Sequence, residues 1–250
     1  MRLYGLIGKS LAHSFSESYF SSKFIREGIP AQYKNFELND IDRLKPLIEK
    51  ETTLYGLNVT IPYKESVLKF ADETDEAVAA IGAANCLNIE RYGNNFSVKA
   101  FNTDAPAFQQ TLLSLLKPHH QHALILGTGG ASKAVHYALK HIPQIQKIVF
   151  VSRNPSGDML SYQDLKNEKL FSEFQLIINT TPLGMAPDKN SCPDIPYQYL
   201  KRTTLLYDLV YNPQETLFLR NGKAVAGCRT KNGLEMLIKQ AELSWEIWNR

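Results

Sequence analysis

Residues 123–134 read ALILGTGGASKA and join an apolar run to a glycine-rich turn and a helical pattern. The run Ala123–Leu126 is typical of a strand that is buried on both faces of a parallel sheet. The glycines at 127, 129 and 130 let a backbone come close to a pyrophosphate, and the following helix offers N–H donors. This stretch predicts a dinucleotide-binding unit, although Ser132 stands where the usual fingerprint has glycine or alanine.

Four more apolar runs follow this unit and are predicted as further strands: Ile148–Val151, Leu176–Ile178, Leu205–Leu209 and Ala224–Ala226. Short buried strands that alternate with helical segments indicate a β-α-β series with right-handed crossovers. Residues 122–231 are therefore predicted to form a Rossmann-type domain.

The first hundred residues also alternate between strand and helix patterns, which predicts a second α/β unit. The predicted strands are Arg2–Ile7, Ala31–Glu37 and Tyr55–Thr60, with a hairpin of Ala84–Glu90 and Phe96–Ala100 around a turn at 92–95. The predicted helices cover 16–27, 40–49, 65–70 and 73–81. Helices over 104–116 and 233–248 complete the pattern, and a domain boundary is expected near 103–121.

Composition is ordinary for a soluble enzyme, with 250 residues, 44% hydrophobic and 21% charged. The net charge of +3 comes without a basic arm and does not favour nucleic acid. The three cysteines lie far apart, so neither a disulfide framework nor a metal site is indicated. The N-terminus lacks the apolar core of a signal peptide, and no apolar run approaches the length of a membrane span. We expect a cytoplasmic protein without membrane contact.

The end of the second Rossmann strand distinguishes between dinucleotides. NAD-binding domains usually place an acidic residue there, whereas NADP-binding domains place an arginine nearby. This chain has Ser152-Arg153-Asn154 and no acid. The forked guanidinium of Arg153 suits a phosphate, so NADP is favoured. The other interpretation is a solvated surface arginine.

Residues 58–66, NVTIPYKES, place Lys64 just past a proline, where a strand gives way to a predicted helix. The positive end of a helix dipole disfavours a charged lysine, and a lysine that exchanges a proton near neutral pH can serve acid–base catalysis. Asp104 offers a carboxylate to hold it in place. Together with the glycine turn they indicate a dehydrogenase. Taken alone, Lys64 could be solvated and Asp104 could merely stabilise a helix N-terminus.

The ordered set of motifs resembles the shikimate dehydrogenase family over almost the whole chain. The motifs are HSFS at 13–16, NVTIPYK at 58–64, IGAAN at 81–85, NTD at 102–104, the glycine turn at 127–130, SRN at 152–154, NTTPLGM at 179–185, YDLVYNP at 207–213 and GLEML at 233–237 with Gln240. The resemblance implies an N-terminal α/β substrate-binding domain at 1–103, to which a C-terminal helix at 232–250 returns. It further implies a linking helix at 104–121 and a Rossmann-type NADP-binding domain at 122–231.

The resemblance implies reversible NADPH-dependent reduction of 3-dehydroshikimate to shikimate, a step of aromatic amino acid (chorismate) biosynthesis. Lys64 and Asp104 would be the catalytic pair that handles the proton. Ser14, Ser16 and Tyr211 would bind the substrate carboxylate, and Thr60, Asn85 and Gln240 would bind the ring hydroxyls. The NADP(H) site would comprise Gly127, Thr128, Gly129, Gly130, Ala131, Ser152, Arg153 and Asn154, with Leu209 and Gly233 on the nicotinamide side.

Other interpretations stay open. The chain could be an NAD-dependent quinate/shikimate dehydrogenase, which Arg153 argues against, or a non-catalytic binding protein on the same fold. A methylene-tetrahydrofolate dehydrogenase has a similar layout but gives the two serines no role, and those serines could simply cap the first helix. Departures from the family pattern at Cys86, Ala105 and Glu235 bear on cofactor affinity rather than on reaction type. A monomer or a homodimer is expected, acting on a small-molecule substrate.

Overall fold

The computed structural model describes residues 1–11, 14–93 and 95–250. His13 of the HSFS motif and Asn94 of the predicted hairpin turn lie outside the described residues. The chain divides into two compact units, residues 1–103 with 240–250, and residues 104–239. The domain limits drawn from the sequence stay a prediction.

The elements of the first unit are β1 (Arg2–Gly8), α1 (Phe15–Glu27), β2 (Ala31–Glu37), α2 (Leu44–Lys50), β3 (Leu54–Val59), β4 (Glu73–Thr74), α3 (Glu76–Ile81), β5 (Cys86–Tyr92) and β6 (Asn95–Phe101), with 3₁₀ turns at Ile41–Arg43 and Ser66–Phe70. The strands form a mixed β-sheet with the order β2-β1-β3-β5-β6-β4. Strand β1 pairs in parallel with β2 and β3, whereas β5 runs antiparallel to β3 and forms a hairpin with β6.

An aromatic cluster fills one face of this sheet and includes the end of the chain. Tyr4 stacks on Trp248 with ring centroids 4.9 Å apart, and the Trp248 indole N–H donates to the Leu87 carbonyl at 2.9 Å. Gly56 leaves room for the indole, because a Cβ there would lie 2.3 Å from Trp248 Nε1. Burial of such large rings dominates the energetics of a core, so residues 240–250 are integral to the first unit.

The elements of the second unit are α4 (Asp104–Leu113), β7 (His122–Leu126), α5 (Gly130–Lys140), β8 (Lys147–Ser152), β9 (Leu160–Ser161), α6 (Glu168–Phe171), β10 (Leu176–Asn179), β11 (Leu205–Asp208), α7 (Leu217–Ala226) and β12 (Arg229–Lys231), with 3₁₀ turns at Asp164–Lys166 and Tyr197–Tyr199. Helix α8 (Leu234–Trp248) begins in this unit and ends in the first. The strands form a parallel sheet with the order β12-β11-β10-β7-β8-β9. Its core strands β7, β10 and β11 are buried and mostly apolar, as is typical of parallel strands covered on both faces.

The predicted strand at Ala224–Ala226 is wrong, because these residues end helix α7. The Thr216 side chain caps that helix by accepting from the Leu219 N–H, and the helix buries Phe218 while it exposes 55% of Val225. The strand of this region is instead β12, whose sequence Arg-Thr-Lys contains no apolar run. It pairs with β11 at the edge of the sheet, where polar residues are tolerated.

Apart from the segment at 65–70, which is a 3₁₀ turn, the other predicted elements lie within a few residues of their expected positions, and the α/β class is confirmed. The helix predicted at 73–81 begins only at Glu76, after β4, and Asp75 caps it by accepting from the Val78 N–H at 2.7 Å. Throughout the described ranges, no helix is long and apolar enough to span a membrane.

Candidate active site

The glycine turn lies at the carboxyl end of β7 and leads directly into α5. Gly127 has a φ of 108°, a left-handed conformation that favours glycine. Gly129 is exposed at the N-cap of α5, and a Cβ placed on it would meet nothing within 4 Å. The first amides of α5, at Gly130 and Ala131, have no acceptor inside the helix. Open space beside these donors fits a pyrophosphate, so the turn suits a dinucleotide.

Ser132 departs from the usual fingerprint, and the structure shows how the turn accommodates it. The side chain is buried, and its hydroxyl donates back to the Gly129 carbonyl at 2.6 Å. A satisfied hydroxyl can therefore stand at the crowded helix–strand contact where glycine or alanine is usual.

The SRN motif begins at Ser152, the last residue of β8, and forms a compact local turn. The Ser152 hydroxyl accepts from the Asn154 N–H at 3.2 Å and lies 3.1 Å from the Asn154 carbonyl. This turn leaves Arg153 exposed. Burial raises the pKa of Tyr162, and the nearby charge of Arg153 opposes that rise. Ser152 thus shapes the loop that presents the guanidinium.

Leu209 and Gly233 touch each other within the second unit. A Cβ on Gly233 would lie only 2.0 Å from the Leu209 carbonyl oxygen, so the backbone contact requires glycine. The Gly233 N–H donates to the Val210 carbonyl at 3.2 Å. Glu235, one of the departures from the family pattern, forms an ion pair with Lys231. These contacts bring together the two residues predicted to face a nicotinamide.

Lys64 lies in a turn between β3 and the 3₁₀ segment Ser66–Phe70, and it is half-buried. The helix predicted here is therefore a five-residue 3₁₀ turn. So short a segment aligns few peptide dipoles, which removes the physical basis of the helix-dipole argument for Lys64. Thr60, at the start of the same turn, donates its N–H to the Ile7 carbonyl at 3.0 Å.

Asn85 and Gln240 form the centre of a buried polar network in the first unit. Asn85 Nδ2 lies 3.4 Å from Gln240 Oε1 and 2.9 Å from Thr103 Oγ1. Asn85 Oδ1 accepts from the Thr103 N–H at 2.7 Å. The residue before it, Ala84, donates its N–H to the Lys64 carbonyl at 2.7 Å. The structure thus brings Lys64, Asn85 and Gln240 to one region.

Ser14 and Ser16 lie at the beginning of α1, but they do not cap it. Ser14 occupies the N-cap position without a side-chain cap hydrogen bond. Its buried hydroxyl finds no hydrogen-bond partner among the described residues. Ser16 is buried, and its side chain lies at the Tyr33 hydroxyl. An unpaired buried hydroxyl costs free energy, and a ligand that accepts its hydrogen bond would offset that cost.

Asp104 and Tyr211 both belong to the second unit. Asp104 is the first residue of α4 and is buried. Tyr211 follows β11 and is half-buried, and burial raises its pKa.

Three polar residues that support Asn85 and Gln240 had no predicted role. Asn58 donates to Ser244 Oγ at 2.8 Å and accepts from the Tyr33 hydroxyl at 2.8 Å. Ser244 donates to the Gln240 carbonyl at 2.9 Å. Asn58 and Thr103 belong to the NVTIPYK and NTD motifs, and this membership is the feature of the sequence that could have identified them. Ser244 carries no signal beyond its place one helical turn after Gln240.

Comparison with known proteins gives a consistent result. A family model described as the shikimate dehydrogenase substrate binding domain matches residues 6–87. The shikimate dehydrogenase (NADP(+)) of Methanococcus vannielii is 35% identical over 265 residues, which cover 98% of this chain and 90% of that protein.

Solved structures agree with the sequence relatives. Shikimate dehydrogenase 1 from Peptoclostridium difficile superposes with a TM-score of 0.84 at 35% identity, covering 100% of this chain and 92% of that one. Shikimate 5-dehydrogenase from Thermus thermophilus, in complex with NADP(H) and shikimate, gives 0.83 at 28% identity, covering 99% and 93%.

Proposed function

Because the chain belongs to the shikimate dehydrogenase family, we propose that Lys64 and Asp104 handle the proton of its reaction. The enzyme reduces 3-dehydroshikimate reversibly to shikimate with NADPH, in the shikimate pathway. The predicted family, two-domain α/β fold, activity and cofactor are thereby confirmed. The roles of individual residues are proposals, and the observation that carries them is the clustering of Lys64, Asn85 and Gln240.

NADP(H) supplies the hydride that is exchanged with the ring carbon. Residues 127–131 hold its pyrophosphate at the N-terminus of α5, where backbone amides and the helix dipole favour negative charge. Arg153 binds the 2′-phosphate through its forked guanidinium, in a loop that Ser152 and Asn154 shape. Leu209 and Gly233 contact the nicotinamide side. The fit is supported by the open space at Gly129 and the exposure of Arg153.

The substrate is bound by polar groups that are largely buried. The Ser14 hydroxyl, without a described partner, donates to the substrate carboxylate together with Ser16 and Tyr211. Thr60, Asn85 and Gln240 bind the ring hydroxyls. Buried polar groups of this kind reject an analogue that lacks a hydroxyl, because they would then be left unpaired.

Lys64 acts on the carbonyl oxygen whose carbon receives hydride. In the reducing direction this oxygen develops negative charge, and the Lys64 ammonium stabilises it and donates a proton. Asp104 orients Lys64 and accepts from a ring hydroxyl. In the oxidising direction neutral Lys64 removes the hydroxyl proton.

The assignment is tested by following NADPH oxidation with 3-dehydroshikimate. We expect Lys64→Ala to lower kcat by about 10²-fold or more, the scale of general acid–base catalysis. Lys69→Ala is the matched control, because Lys69 lies in the adjacent 3₁₀ turn and is half-exposed in an ion pair with Asp42. Equal turnover in the Lys64 variant and the native enzyme would refute the proposed proton transfer.

Parallel assays separate the alternatives. A preference for NADPH over NADH, abolished by Arg153→Ala, supports the proposed phosphate contact. Oxidation of quinate with NAD at the rate of shikimate with NADP would instead favour the quinate/shikimate alternative. Asp104→Asn should also lower kcat. In the double variant with Lys64→Ala the loss should be smaller than the product of the two single losses, because residues that act as a unit do not contribute independently.

We also propose that the enzyme works in the cytoplasm as a monomer or homodimer. Its three cysteines are free thiols, two of them buried, which is typical of a reducing compartment. Light scattering after size-exclusion chromatography determines the oligomeric state.

A further inference from the structure

A buried carboxyl group lies at the carboxyl ends of two neighbouring strands in the second unit. Asp208, the last residue of β11, is fully buried and pairs in register with Asn179, the last residue of β10. Its Oδ1 accepts from Asn179 Nδ2 at 2.9 Å and from the Val210 N–H at 3.0 Å. Its Oδ2 accepts from Thr216 Oγ1 at 2.5 Å. Every one of these partners donates, so the carboxyl acts as an acceptor, and charge-assisted hydrogen bonds of this kind are strong.

Asn179 links Asp208 by hydrogen bonds to the segment that follows β10. Its Oδ1 accepts from the Thr181 N–H at 3.0 Å and from the Thr181 hydroxyl at 2.6 Å. The Thr180 hydroxyl donates to the Leu126 carbonyl at 2.7 Å. A Cβ on Gly127 would lie 2.9 Å from Thr180 Oγ1 and 3.1 Å from Thr181 Cγ2. The two threonines therefore form the support on which the glycine turn rests.

Val210 links Asp208 by hydrogen bonds to Gly233, which is predicted to lie on the nicotinamide side. With its N–H held by Asp208, Val210 accepts from the Gly233 N–H at 3.2 Å. Gly233 in turn packs against the Leu209 backbone. One buried carboxyl thus holds both the support of the glycine turn and the Leu209–Gly233 contact. Asp208 stands in the YDLVYNP motif, but the proposed chemistry gives it no role.

We propose that Asp208 is a positioning residue for NADP(H), acting through Asn179 on the glycine turn and through Val210 on the Leu209–Gly233 contact. This inference rests on the cofactor site proposed above. The physical basis is preorganisation: a loop that is already held in its binding geometry loses less conformational entropy when the ligand binds. Asp208 need not touch the cofactor for its removal to weaken binding.

The test is a double-mutant cycle on NADPH affinity, measured at about pH 8 by NADPH fluorescence with no substrate present. Asp208→Ala and Thr181→Val remove the two ends of the Asp208–Asn179–Thr181 connection, whose side chains share Asn179 as a partner. Each single variant should raise the Kd for NADPH about 10-fold. The Kd of the double variant should be no higher than the higher of the two single-variant values, because the effects of coupled residues do not add. Thr181→Ser keeps the hydroxyl and should restore native affinity.

Controls separate positioning from a structural role. Asp194→Ala removes an exposed carboxylate of the same unit and should leave the Kd unchanged. Asn179→Ala interrupts the connection without removing the carboxyl, and it replaces Asp208→Ala if that variant does not fold.

The outcomes distinguish this inference from the cofactor assignment. Variants that melt at lower temperature but bind NADPH with the native Kd, or Kd effects that simply multiply, would overturn the positioning role. A native protein that binds no NADPH would refute the cofactor site itself, and the positioning role with it.

Discussion

Asn85 Nδ2 lies 3.4 Å from Gln240 Oε1, although 155 residues separate the two in the chain. Both side chains are almost completely buried. Thr103 and Ser244 connect to the same network at 2.9 Å and 3.4 Å. Two amides that we propose to bind the ring hydroxyls are therefore fixed against each other before substrate arrives.

Removal of the Gln240 amide should affect substrate binding selectively. We expect Gln240→Ala to raise the KM for shikimate about 10- to 100-fold, since a lost buried hydrogen bond costs roughly 1–3 kcal/mol. The Kd for NADPH should stay native. Lys239→Ala, an exposed position on the same helix, is the control and should leave both values unchanged. Steady-state kinetics and NADPH titration give the two readouts, and a native KM would remove Gln240 from the substrate site.

Ser14→Ala should separate binding from stability. The Ser14 hydroxyl is buried without a partner in the described part of the chain, so its removal should not destabilise the fold and should raise the free energy of unfolding by up to about 1 kcal/mol. The same variant should raise the KM for shikimate about 10-fold or more. Urea denaturation checks the first effect and kinetics the second. A loss of stability with native KM would identify Ser14 as a purely structural residue.

Gly129→Ala should weaken NADPH binding without disturbing the fold. Gly129 has a φ of −81°, and an added Cβ would meet no protein atom within 4 Å. The methyl group would instead occupy the space beside the amides of α5, and we expect at least a 10-fold rise in the Kd for NADPH, about 1.4 kcal/mol. Gly233→Ala provides the contrast: its Cβ would lie 2.0 Å from the Leu209 carbonyl, so that variant should lose stability as well. Native affinity in folded Gly129→Ala would contradict the turn as the phosphate site.

Asp208 should make stability depend on pH. Burial raises the pKa of Asp208 to about 6 from its ordinary 3.8, and hydrogen bonds from Thr216, Val210 and Asn179 oppose the rise. The folded state therefore holds this proton more tightly than the unfolded chain does. The associated stability is complete below about pH 3.8 and is lost as the pH rises through about 6.

The measurement is urea denaturation of native protein and Asp208→Asn from about pH 4 to pH 7. The amide does not ionise, so only the native protein loses this contribution as the pH rises. The free energy of unfolding of the variant, relative to that of the native protein, should therefore increase by roughly 1–3 kcal/mol over this pH range. Asp194→Asn, at an exposed position, serves as the matched control. A pH-independent difference for Asp208→Asn would show that this carboxyl titrates alike in both states.

Local patterns predicted the parts of the fold that local forces decide. The glycine turn at 127–130 could be predicted because the apolar strand, the glycines and the start of the helix lie within a few residues of one another. Three apolar residues at 224–226 fit a strand and a helix end equally well, and in the structure they are the last residues of a helix that ends at Gly227 in a left-handed cap. Edge strand β12 was missed because its pairing with β11, rather than its own composition, makes it a strand.

The site shows the same division. Ser14, Lys64 and Arg153 could be proposed from the sequence because each belongs to a motif. The sequence does not indicate that Asn85 contacts Gln240, or that the Ser14 side chain makes no capping hydrogen bond to α1. The helix-dipole explanation for Lys64 failed because a proline-containing segment rich in turns adopted a 3₁₀ conformation in place of a regular helix. Long-range contacts and exact helix type depend on packing, which a single sequence does not display.

The place of Trp248 in the first unit has a consequence for biosynthesis. Residues 240–250 leave the ribosome only after all of residues 104–239 have been made, yet Trp248 stacks on Tyr4 and covers Gly56. Until then, Tyr4, Phe20 and Phe24 have no indole to pack against, and exposed aromatic surface promotes aggregation. The nascent chain should therefore complete its second unit first, and the substrate side of the enzyme should mature only when the last helix docks.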